Sequence, residues 1–371
     1  MVYFKTFIFL ERVLMMLNYK NLCKNLVSKY QKLHSTLIAT ELKPASGELR
    51  EFQLKTFDFC KGIIAKLEEL NLPYFPIGGT LIGVLRHQGF VPWDDDFDIG
   101  MMRSDYDSFL GFCKKNYIQI PSGEVSFNLE NREYVWNKYM KKYPNKHIFL
   151  QTPHHTQIIF GTDINNFVNI DIFPHDYYDE SLSIEEYNIY INEIKEKKEI
   201  ISNFQKVLDF YEKERKTNPI FVEKSNKIYY GLDNIDNYIL KHRGFFSVDM
   251  IFPLRRMKFE DGEIWVQNKP LEYAELQYRN CMSMPSDIII SPHIDARGKR
   301  VKNSYSLTYL KLKVYRLLLK LCFRNINEKN AVSKSIVAQE LKTILLEPLY
   351  NYKDAYYDIL AKYEFIKSIK G

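Results

Sequence analysis

The sequence predicts an α+β fold in which a short mixed β-sheet is surrounded by helices. Apolar residues recur at helical spacing from Leu49 to Leu70, and short strand-like segments follow at Tyr74–Ile77, Asp96–Met101 and Phe167–Phe173. Residues 297–371 have a basic, helical composition. With 371 residues and 46% hydrophobic composition, the chain is long enough to bury a substantial core. We therefore expect a globular α+β core with helical additions.

The first part of the predicted core alternates helix, strand and helix. Asn71-Leu72-Pro73 ends the helix that begins near Leu49, and a Gly78-Gly79 turn follows the first strand. The next helix is predicted over Thr80–Arg86, with Thr80 as its N-cap.

The elements downstream have signals of their own. Ser104-x-x-Asp107 resembles a capping box and predicts a helix over Tyr106–Lys114. In Phe167–Phe173, apolar residues alternate with Asn169 and Asp171, which are expected on the opposite face of the strand. Residues 183–215 alternate Glu and Lys and predict one or two exposed helices with i,i+4 ion pairs.

Charge divides the chain more clearly than any linker does. We predict an N-terminal helical extension over residues 1–48, a central domain over 49–296 and a basic helical region over 297–371. The formal net charge is +6; residues 1–66 contribute +6 and residues 297–371 contribute +10, so residues 67–296 carry −10. The ends are basic and the middle is acidic.

Cysteine usage and hydropathy predict a cytoplasmic protein. The five cysteines are far apart and form no CxxC motif, so neither a disulfide framework nor a zinc site is indicated. No segment has the roughly 18–20 consecutive apolar residues of a membrane span, and we find no signal-peptide pattern. Residues 309–325 are interpreted as an amphipathic helix with Lys313, Arg316, Lys320 and Arg324 at helical steps. This helix either packs on the domain or makes peripheral contact with the inner face of the membrane.

The segment WDDDFD, Trp93–Asp98, concentrates carboxylates among apolar neighbours. Because side chains alternate along a strand, Asp96 and Asp98 are expected on one side while Phe97 and Ile99 face the core. Adjacent carboxylates repel each other, and a divalent cation removes the cost of placing them together. Oxygen ligands suit Mg²⁺, which completes its coordination with waters and substrate phosphates. The segment therefore predicts a metal-dependent site for a phosphate-bearing substrate.

Two further features would complete such a site. Gly78 and Gly79 allow the backbone to approach a ligand closely, and the helix that follows would point its N-terminal N–H groups at an anion. Asp171 is one polar residue on an otherwise apolar strand, which suits a third carboxylate ligand. A turn and helix, an Asp-x-Asp pair on a strand and a distant single Asp form the pattern of the nucleotidyltransferase superfamily, in which metal ions bridge the nucleotide phosphates.

Three blocks of the sequence resemble a more specific family. Residues 78–106, GGTLIGVLRHQGFVPWDDDFDIGMMRSDY, are similar to the signature of the LicD family. NIDIFPHD at 169–176 and residues 251–285 resemble its second and third blocks. The family includes phosphocholine transferases of bacterial surface glycans and the related fukutin-type enzymes of animals.

The resemblance implies transfer of a phospho-substituent, such as phosphocholine or a polyol phosphate, from a CDP-activated donor to a glycan hydroxyl. The acceptor would be a lipopolysaccharide, teichoic acid or capsule. It also implies Mg²⁺ or Mn²⁺ as the cofactor. The roles that it implies are metal ligands at Asp96, Asp98 and Asp171, phosphate contacts at Gly78, Gly79 and Thr80, and nearby charge or hydrogen bonds from Arg86 and His87. The base that accepts the proton of the acceptor is either Asp94 or Asp95.

The sequence defines the substrate specificity less well than the type of reaction. Where the third block commonly has Tyr-Gly, this chain has Tyr278-Arg279, so the donor head group or the acceptor is expected to differ if that glycine makes a turn at the pocket. Trp93 either stacks on a base or a choline ammonium or packs in the structure. His154, His155 and His175 lack metal-ligand spacing and are interpreted as surface residues.

Other interpretations of the acidic segment are structural. Asp94-x-Asp96-x-Asp98 opens like an EF-hand calcium loop, but Ile99 and Asp105 stand where that loop needs Gly and Glu. A solvated acidic turn is the remaining alternative, and the apolar neighbours argue against it.

Two other functional classes remain open. A nucleotidyltransferase or glycosyltransferase also combines Asp-x-Asp and metal with a nucleotide-activated donor. A non-catalytic module could bind nucleic acid or another polyanion through the basic ends. Because no recognised nucleic-acid-binding signature is present, we expect no nucleic-acid partner.

Overall fold

The computed structural model describes residues 22–23, 25–127, 129–201, 203–235, 243–285 and 352–370. These residues form two compact units. The larger unit comprises described residues from 38 to 285, and the smaller comprises described residues of 22–37 and 352–370.

The larger unit contains both helices and strands. Its helices are α1 (Gly47–Glu69), α2 (Gly78–His87), α3 (Arg103–Asn116), α4 (Leu129–Lys142), α5 (Ile184–Glu199), α6 (Phe204–Thr217), α7 (Val248–Ile251) and α8 (Pro270–Tyr278). Its strands are β1 (Phe75–Pro76), β2 (Asp98–Met102), β3 (Ile118–Ile120), β4 (Ile148–Gln151), β5 (Thr156–Asp163), β6 (Asn166–Tyr178), β7 (Phe221–Val222), β8 (Lys227–Tyr230), β9 (Arg255–Phe259) and β10 (Gly262–Val266).

The main sheet is mixed, with the order β1-β2-β6-β5-β4-β3. Strand β6 also pairs with β7 and β8 through its C-terminal part. Pairs β2/β6 and β3/β4 are parallel, whereas the other pairs of this sheet are antiparallel. Strands β9 and β10 form a separate hairpin. The predicted α+β class is confirmed.

The register between β2 and β6 places the key aspartates side by side. Asp98 is the Cα partner of Asp171, and Ile99 is the partner of Ile172. Ile99 and Ile172 are fully buried in one hydrophobic cluster with Phe97. Because side chains alternate along both strands, the two carboxylates lie on the other face. The predicted placement of Asp98 and Asp171 on β-strands is confirmed.

Hydrophobic clusters cover both faces of the sheet. Phe57, Ile63 and Leu67 of α1 pack with the Ile99/Ile172 face. A second cluster includes Tyr187 of α5 and Tyr273 of α8, and a third includes Ile148 of β4 and Ile159 of β5. The one or two exposed helices predicted over 183–215 are α5 and α6, and each of them buries one face.

The capping box predicted at Ser104 is wrong. Helix α3 begins at Arg103 directly after β2, and its N-cap is Met102 without a side-chain cap. The strand therefore runs straight into the helix and leaves no room for a cap residue at 104. A capping box is present at α5 instead, where Ser183 and Glu186 bond each other's backbone N–H groups.

A buried ion network joins α3, β6 and α6. Arg103 Nε lies 2.7 Å from Asp176 Oδ1, and Arg103 Nη2 lies 2.5 Å from Asp233 Oδ2. Arg215 Nη1 lies 3.3 Å from the same Asp233 oxygen. Burial alone would raise the pKa of Asp233, but Arg103 and Arg215 outweigh it and hold this pKa below its usual range. The buried aspartates of this network are therefore neutralised by its arginines.

The smaller unit is helical. Residues 25–34 form a helix, and Tyr352–Ile369 form another. The amphipathic segment predicted at 309–325 lies outside the described residues. Within the described part of the chain, we find no helix with the length and apolar character needed to cross a membrane.

We predict that Asp233→Asn destabilises the larger unit. The side chain of Asp233 is 1% exposed and neutralises two guanidinium groups, so its loss leaves uncompensated buried charge. The free energy of unfolding, measured by urea denaturation, should fall by about 3–5 kcal/mol. The matched control is Asp261→Asn, which breaks an exposed pair with Lys61 and should cost less than about 1 kcal/mol. Equal effects of the two substitutions would contradict the role of the network.

Candidate active site

Five aspartates converge where strand β2 begins. Asp94, Asp95 and Asp96 each offer an oxygen, and these oxygens all lie within 4.8 Å of one another. Asp98 interacts electrostatically with these three residues and with Asp171. Strand β2 starts at Asp98, so the predicted start of the strand at Asp96 is wrong by two residues. Asp94, Asp95 and Asp96 lie in the irregular segment that enters the strand, which does not lead into a helix as an EF-hand loop would.

The diglycine makes room for two of these carboxylates. Gly78 and Gly79 are the first residues of α2 and do not form a separate turn. A Cβ atom added to Gly78, whose φ is +58°, would lie 3.0 Å from Asp98 Oδ2. A Cβ atom added to Gly79 would lie 1.8 Å from Asp94 Oδ2. Glycine is therefore required where the helix start meets the acidic segment.

Thr80 has a different structural role from the one predicted. Helix α2 begins at Gly78 with Ile77 as its N-cap, so Thr80 is not the capping residue. Its buried hydroxyl oxygen instead accepts a hydrogen bond of 2.8 Å from the backbone N–H of Asp98. Thr80 thus fixes the start of β2 against α2.

Polar side chains from β5 and β6 orient Asp171. Gln157 Nε2 donates to Asp171 Oδ1 at 2.8 Å, and Asn169 Nδ2 donates to the same oxygen at 3.3 Å. His155 Nε2 lies 3.4 Å from Asp171 Oδ2. Burial and then the charge of Arg132 lower the pKa of His155 to about 4, so its imidazole is neutral at pH 7. Neutral donors therefore orient the carboxylate of Asp171, which also interacts electrostatically with Arg132.

The interpretation of the three histidines as surface residues is wrong. His175 is fully buried, and its Nε2 lies 3.0 Å from Tyr273 Oη. His154 is half-buried, and its ring lies against Phe127. His155 is half-buried beside Asp171. Long-range pairing, which local spacing does not reveal, places these rings in the interior.

Burial and the neighbouring aspartates raise the pKa of both Asp94 and Asp98. Burial, followed by repulsion from Asp96 and Asp95, raises the pKa of Asp94 well above its usual range. Burial, followed by repulsion from Asp96 and Asp171, does the same to Asp98. Asp95 is 2% exposed, whereas Asp94 is half-buried beside a cavity. The cluster is an accumulation of negative charge that a cation would relieve.

The donor set fits a hard divalent cation. All five clustered side chains offer carboxylate oxygens, which suit Mg²⁺ or Mn²⁺. Among the predicted ligands, Asp98 interacts electrostatically with both Asp96 and Asp171. Asp94, Asp95 and Asp96, however, form the closest group of ligand atoms. Among the described residues, ligand oxygens within 4.8 Å of one another are found for Asp94, Asp95 and Asp96 and not for the predicted trio.

A cavity of about 410 Å³ adjoins the aspartates. Gly79, Asp94, Trp93 and Arg86 contribute to its wall, together with Tyr278 and Arg279 from the end of α8. Among the described residues, the lining includes Arg86 but not His87. Burial, followed by the charge of Arg86, lowers the pKa of His87 to about 4.

Sequence analysis missed several residues of this site. His155 and Gln157 have the two-residue spacing of one strand face, but only the pairing of β5 with β6 aligns them with Asp171. Tyr278 belongs to the third sequence block, yet no local signal brings it to the cavity. The spacing of residues in the sequence indicates which side chains share one face of a strand or helix. It does not indicate how the strands are aligned with each other, and these contacts depend on that alignment.

Comparison with known proteins agrees with this site. Residues 71–207 match the family model described as LicD/FKTN/FKRP, nucleotidyltransferase domain. The chain is 35% identical over 91 residues to the lipopolysaccharide cholinephosphotransferase LicD of Haemophilus influenzae, which covers 24% of this chain and 32% of that protein. An uncharacterized protein of Rickettsia typhi is 35% identical over 107 residues, or 25% of this chain and 34% of that protein.

An animal protein is also similar. The chain is 32% identical over 76 residues to the ribitol 5-phosphate transferase FKRP of Homo sapiens, which covers 20% of this chain and 14% of that protein. The matches thus span about a third or less of each of these three relatives. The matched residues 71–207 contain all five aspartates of the site. Residues 71–207 of this chain are therefore similar to the nucleotidyltransferase domain of the LicD family.

Proposed function

We propose that this protein is a metal-dependent transferase that moves a phospho-substituent from a CDP-activated donor to a hydroxyl of a cell-surface glycan. The observation that carries the proposal is the convergence of five aspartates on a diglycine helix start. Such a concentration of carboxylates beside close-approach backbone suits a cation and a phosphate-bearing substrate together.

The names of the similar proteins support the same class of reaction. One is named a cholinephosphotransferase and the other a ribitol 5-phosphate transferase, so the two differ in the head group but share transfer of a phosphate-linked group. Since the similar region includes the aspartates, we extend the reaction class to this chain. The CDP-activated donor and the glycan acceptor are our proposal for it.

The residues divide into distinct roles in the proposed reaction. Asp96, Asp98 and Asp171 would hold Mg²⁺ or Mn²⁺, which supplies positive charge for the phosphates of the donor. Gly78 and Gly79 leave space beside Asp98 and Asp94 for a phosphate to approach the start of α2. Gln157 and His155 hold the carboxylate of Asp171 in place.

The proposed transfer is an in-line displacement at phosphorus. The acceptor hydroxyl oxygen forms a bond to the phosphorus that carries the head group. The bond from that phosphorus to the bridging oxygen breaks, and CMP leaves with that oxygen. Asp94 accepts the hydroxyl proton, because it lines the cavity whereas Asp95 is buried.

A panel of donors tests the proposal. Purified protein is incubated with CDP-choline, CDP-polyols, CTP and sugar nucleotides, with or without Mg²⁺, and with a glycan or water as the acceptor. The proposal expects CMP release that requires Mg²⁺ and occurs with CDP esters. Transfer of a nucleotidyl or glycosyl group instead would assign the site to one of those two classes.

We predict that Asp96→Asn, Asp98→Asn and Asp171→Asn each abolish transfer without unfolding the protein. Loss of an outer-shell partner alone typically costs about 10–100-fold in metal affinity or activity, so loss of a direct ligand should lower turnover by at least about 100-fold. Circular dichroism checks folding, and Asp58→Asn serves as an exposed control. Near-normal turnover in all three variants would remove the assignment.

We predict that Gly79→Ala impairs turnover while Gly62→Ala does not. The new methyl group at position 79 would displace the Asp94 carboxylate, whereas nothing lies within 4 Å of a Cβ atom at position 62. Misplacement by about 1 Å can cost roughly 100-fold in rate. Steady-state kinetics of the two variants gives the comparison, with thermal melting to confirm that both fold. Equal turnover in both variants would contradict the close packing of Gly79 on Asp94.

We predict that Asp98→Asn raises the melting temperature of the metal-free protein at pH 7. The raised pKa of Asp98 means that its ionised form destabilises the folded state, so stability increases as the pH falls through this raised pKa towards the ordinary pKa of an unfolded aspartate. The amide removes this cost, and each 1 kcal/mol gained should raise the melting temperature by about 2–4 °C.

The same variant should respond less to metal. Mg²⁺ should raise the melting temperature of the wild-type protein, because a ligand that binds only the folded state stabilises it. This increase should be smaller in Asp98→Asn. A lower metal-free melting temperature in the variant, with an unchanged Mg²⁺ response, would show that Asp98 is a structural residue.

A further inference from the structure

Helix α4 covers the face of the sheet that carries the aspartates. Trp136 of α4 packs with Ile159 of β5 in one buried cluster. Ile159 lies two residues after Gln157, which donates to Asp171, so the side chains at 157 and 159 share one face of β5. Arg132 lies one helical turn before Trp136 on the same side of α4. This position brings Arg132 to the β5 side of the aspartates, whereas the diglycine lies on the β2 side.

Trp136 holds the guanidinium of Arg132 in place without neutralising it. Arg132 Cζ lies over the Trp136 ring at 5.3 Å from its centroid. Burial lowers the pKa of Arg132, and the charges of Asp171 and Glu133 offset this effect only in part. The Nε of Arg132 is buried without a hydrogen-bond partner among the described residues. Since the residue is only half-buried, its two Nη groups are the donors that a ligand can reach.

The arginine of the buried ion network is in a different state. Burial would lower the pKa of Arg103, but Asp176 and Asp233 outweigh it and raise this pKa. Both aspartates bond the Arg103 guanidinium directly. Arg132, by contrast, carries a positive charge that the described residues neutralise only in part.

A second cation lies on the same side of the aspartates. Lys198, in the last turn of α5, is buried, and its Nζ lies 5.1 Å from the centroid of the Phe127 ring. The ring of His154 lies against the same phenyl ring. Burial, followed by the charges of His155, Lys198 and Arg132, lowers the pKa of His154 to about 3. Both cations are therefore close to the turn between β4 and β5.

A phosphate group matches the donors that these residues offer. The planar guanidinium of Arg132 can donate two parallel hydrogen bonds to phosphate oxygens, and the ammonium of Lys198 adds a point charge. The aspartates alone repel an anion, whereas a bound cation changes the sign of the local charge. A phosphate that contacts such a cation from the β5 side would meet Arg132 as its second positive partner.

We propose that Arg132 and Lys198 bind a phosphate group on the β5 side of the aspartates, at a subsite separate from the diglycine start of α2. This inference rests on the proposed function, to which it adds a second point of contact with phosphate. The phosphate belongs to the leaving nucleotide, to the transferred group or to the acceptor, and the test separates these three sources.

The test measures binding and does not require turnover. Isothermal titration calorimetry of the full chain with Mg²⁺ uses CMP for the leaving nucleotide, phosphocholine for the transferred group and glucose 1-phosphate for a phosphorylated acceptor. Arg132→Gln should weaken the binding of one of these probes by about 10-fold or more, because a charge-assisted hydrogen bond is lost. The probe that loses affinity identifies the source. Unchanged affinity for all three, or no binding of any probe to the wild-type protein, would overturn the inference.

Matched variants separate direct contact from the general effect of charge. Lys141→Gln removes one positive charge from an exposed position of α4, and Lys197→Gln does so beside Lys198 on α5. Neither should change the affinity by more than about twofold, because exposed charges are screened by salt. An effect of Lys141→Gln as large as that of Arg132→Gln would overturn the assignment.

Two further variants test the chemistry of the contact. Arg132→Lys keeps the charge but not the planar fork, so it should recover only part of the affinity. Lys198→Gln should weaken binding of the same probe by several fold, and it tests the subsite independently if thermal melting shows that Arg132→Gln does not fold. Wild-type affinity of Lys198→Gln for every probe would remove Lys198 from the subsite.

The donor panel separates this inference from the proposed function. CMP release from CDP esters at the wild-type rate and KM in both Arg132→Gln and Lys198→Gln would support the transferase and overturn the subsite. Binding of a phosphate probe that depends on Arg132, without CMP release from any CDP ester, would support the subsite and overturn the proposed reaction.

Discussion

Electrostatic repulsion among the aspartates at the start of β2 is the constraint on which the site depends. The parallel register of β2 and β6 sets Asp98 directly across from Asp171. This arrangement costs free energy, since the neighbouring carboxylates and burial raise the pKa of Asp98. The opposite face stabilises it, because Ile99 and Ile172 are fully buried and a one-residue slip would turn the carboxylates into the core. Apolar packing on one face therefore enforces charge repulsion on the other.

The larger unit contains a second group of buried acidic residues, and arginines neutralise the negative charge of this group. Asp176 and Asp233 are buried against Arg103 and Arg215, and the pKa of Asp233 is held low. Gln157 and Asn169 donate neutral hydrogen bonds to Asp171 instead, and the pKa of Asp98 is raised. The charges of the first group are neutralised within the protein, whereas a bound cation would relieve the repulsion in the second.

Sequence patterns predicted the elements of this site better than their boundaries. The periodicity of Leu49–Leu70 corresponds to α1, and the alternation in Phe167–Phe173 lies within the longer strand β6. Asp96 was assigned to a strand that begins at Asp98, because alternation continues beyond the last ladder hydrogen bond. Thr80 matched a cap residue, but its hydroxyl bonds Asp98 across the fold. Sequence propensity describes local patterns only. Contacts from elsewhere in the fold give Asp96 and Thr80 structural positions that these local patterns do not indicate.

The histidines also show the limit of local sequence patterns. In their case the sequence contains no motif, yet the fold gives the residues specific positions. His155 and His175 have no motif spacing, yet β-sheet pairing buries one and places the other beside Asp171. Nothing in the spacing of residues 154–175 indicates which of them face each other across β5 and β6. The concentration of carboxylates in WDDDFD is evident from the sequence, whereas the neutral donors to Asp171 depend on register.

Chemistry and specificity come from different parts of the chain. The aspartates and the diglycine lie within residues 71–207, the segment shared with the LicD family. Tyr278 and Arg279, which complete the cavity, lie outside that segment. The position where the family commonly has glycine here carries an arginine with φ +45°, so the turn is kept while a charge is added. In the proposed reaction, a change at this wall would alter the surroundings of the substrate and leave the carboxylates in place. The residues that enforce repulsion and those that complete the cavity are encoded in separate segments of the chain.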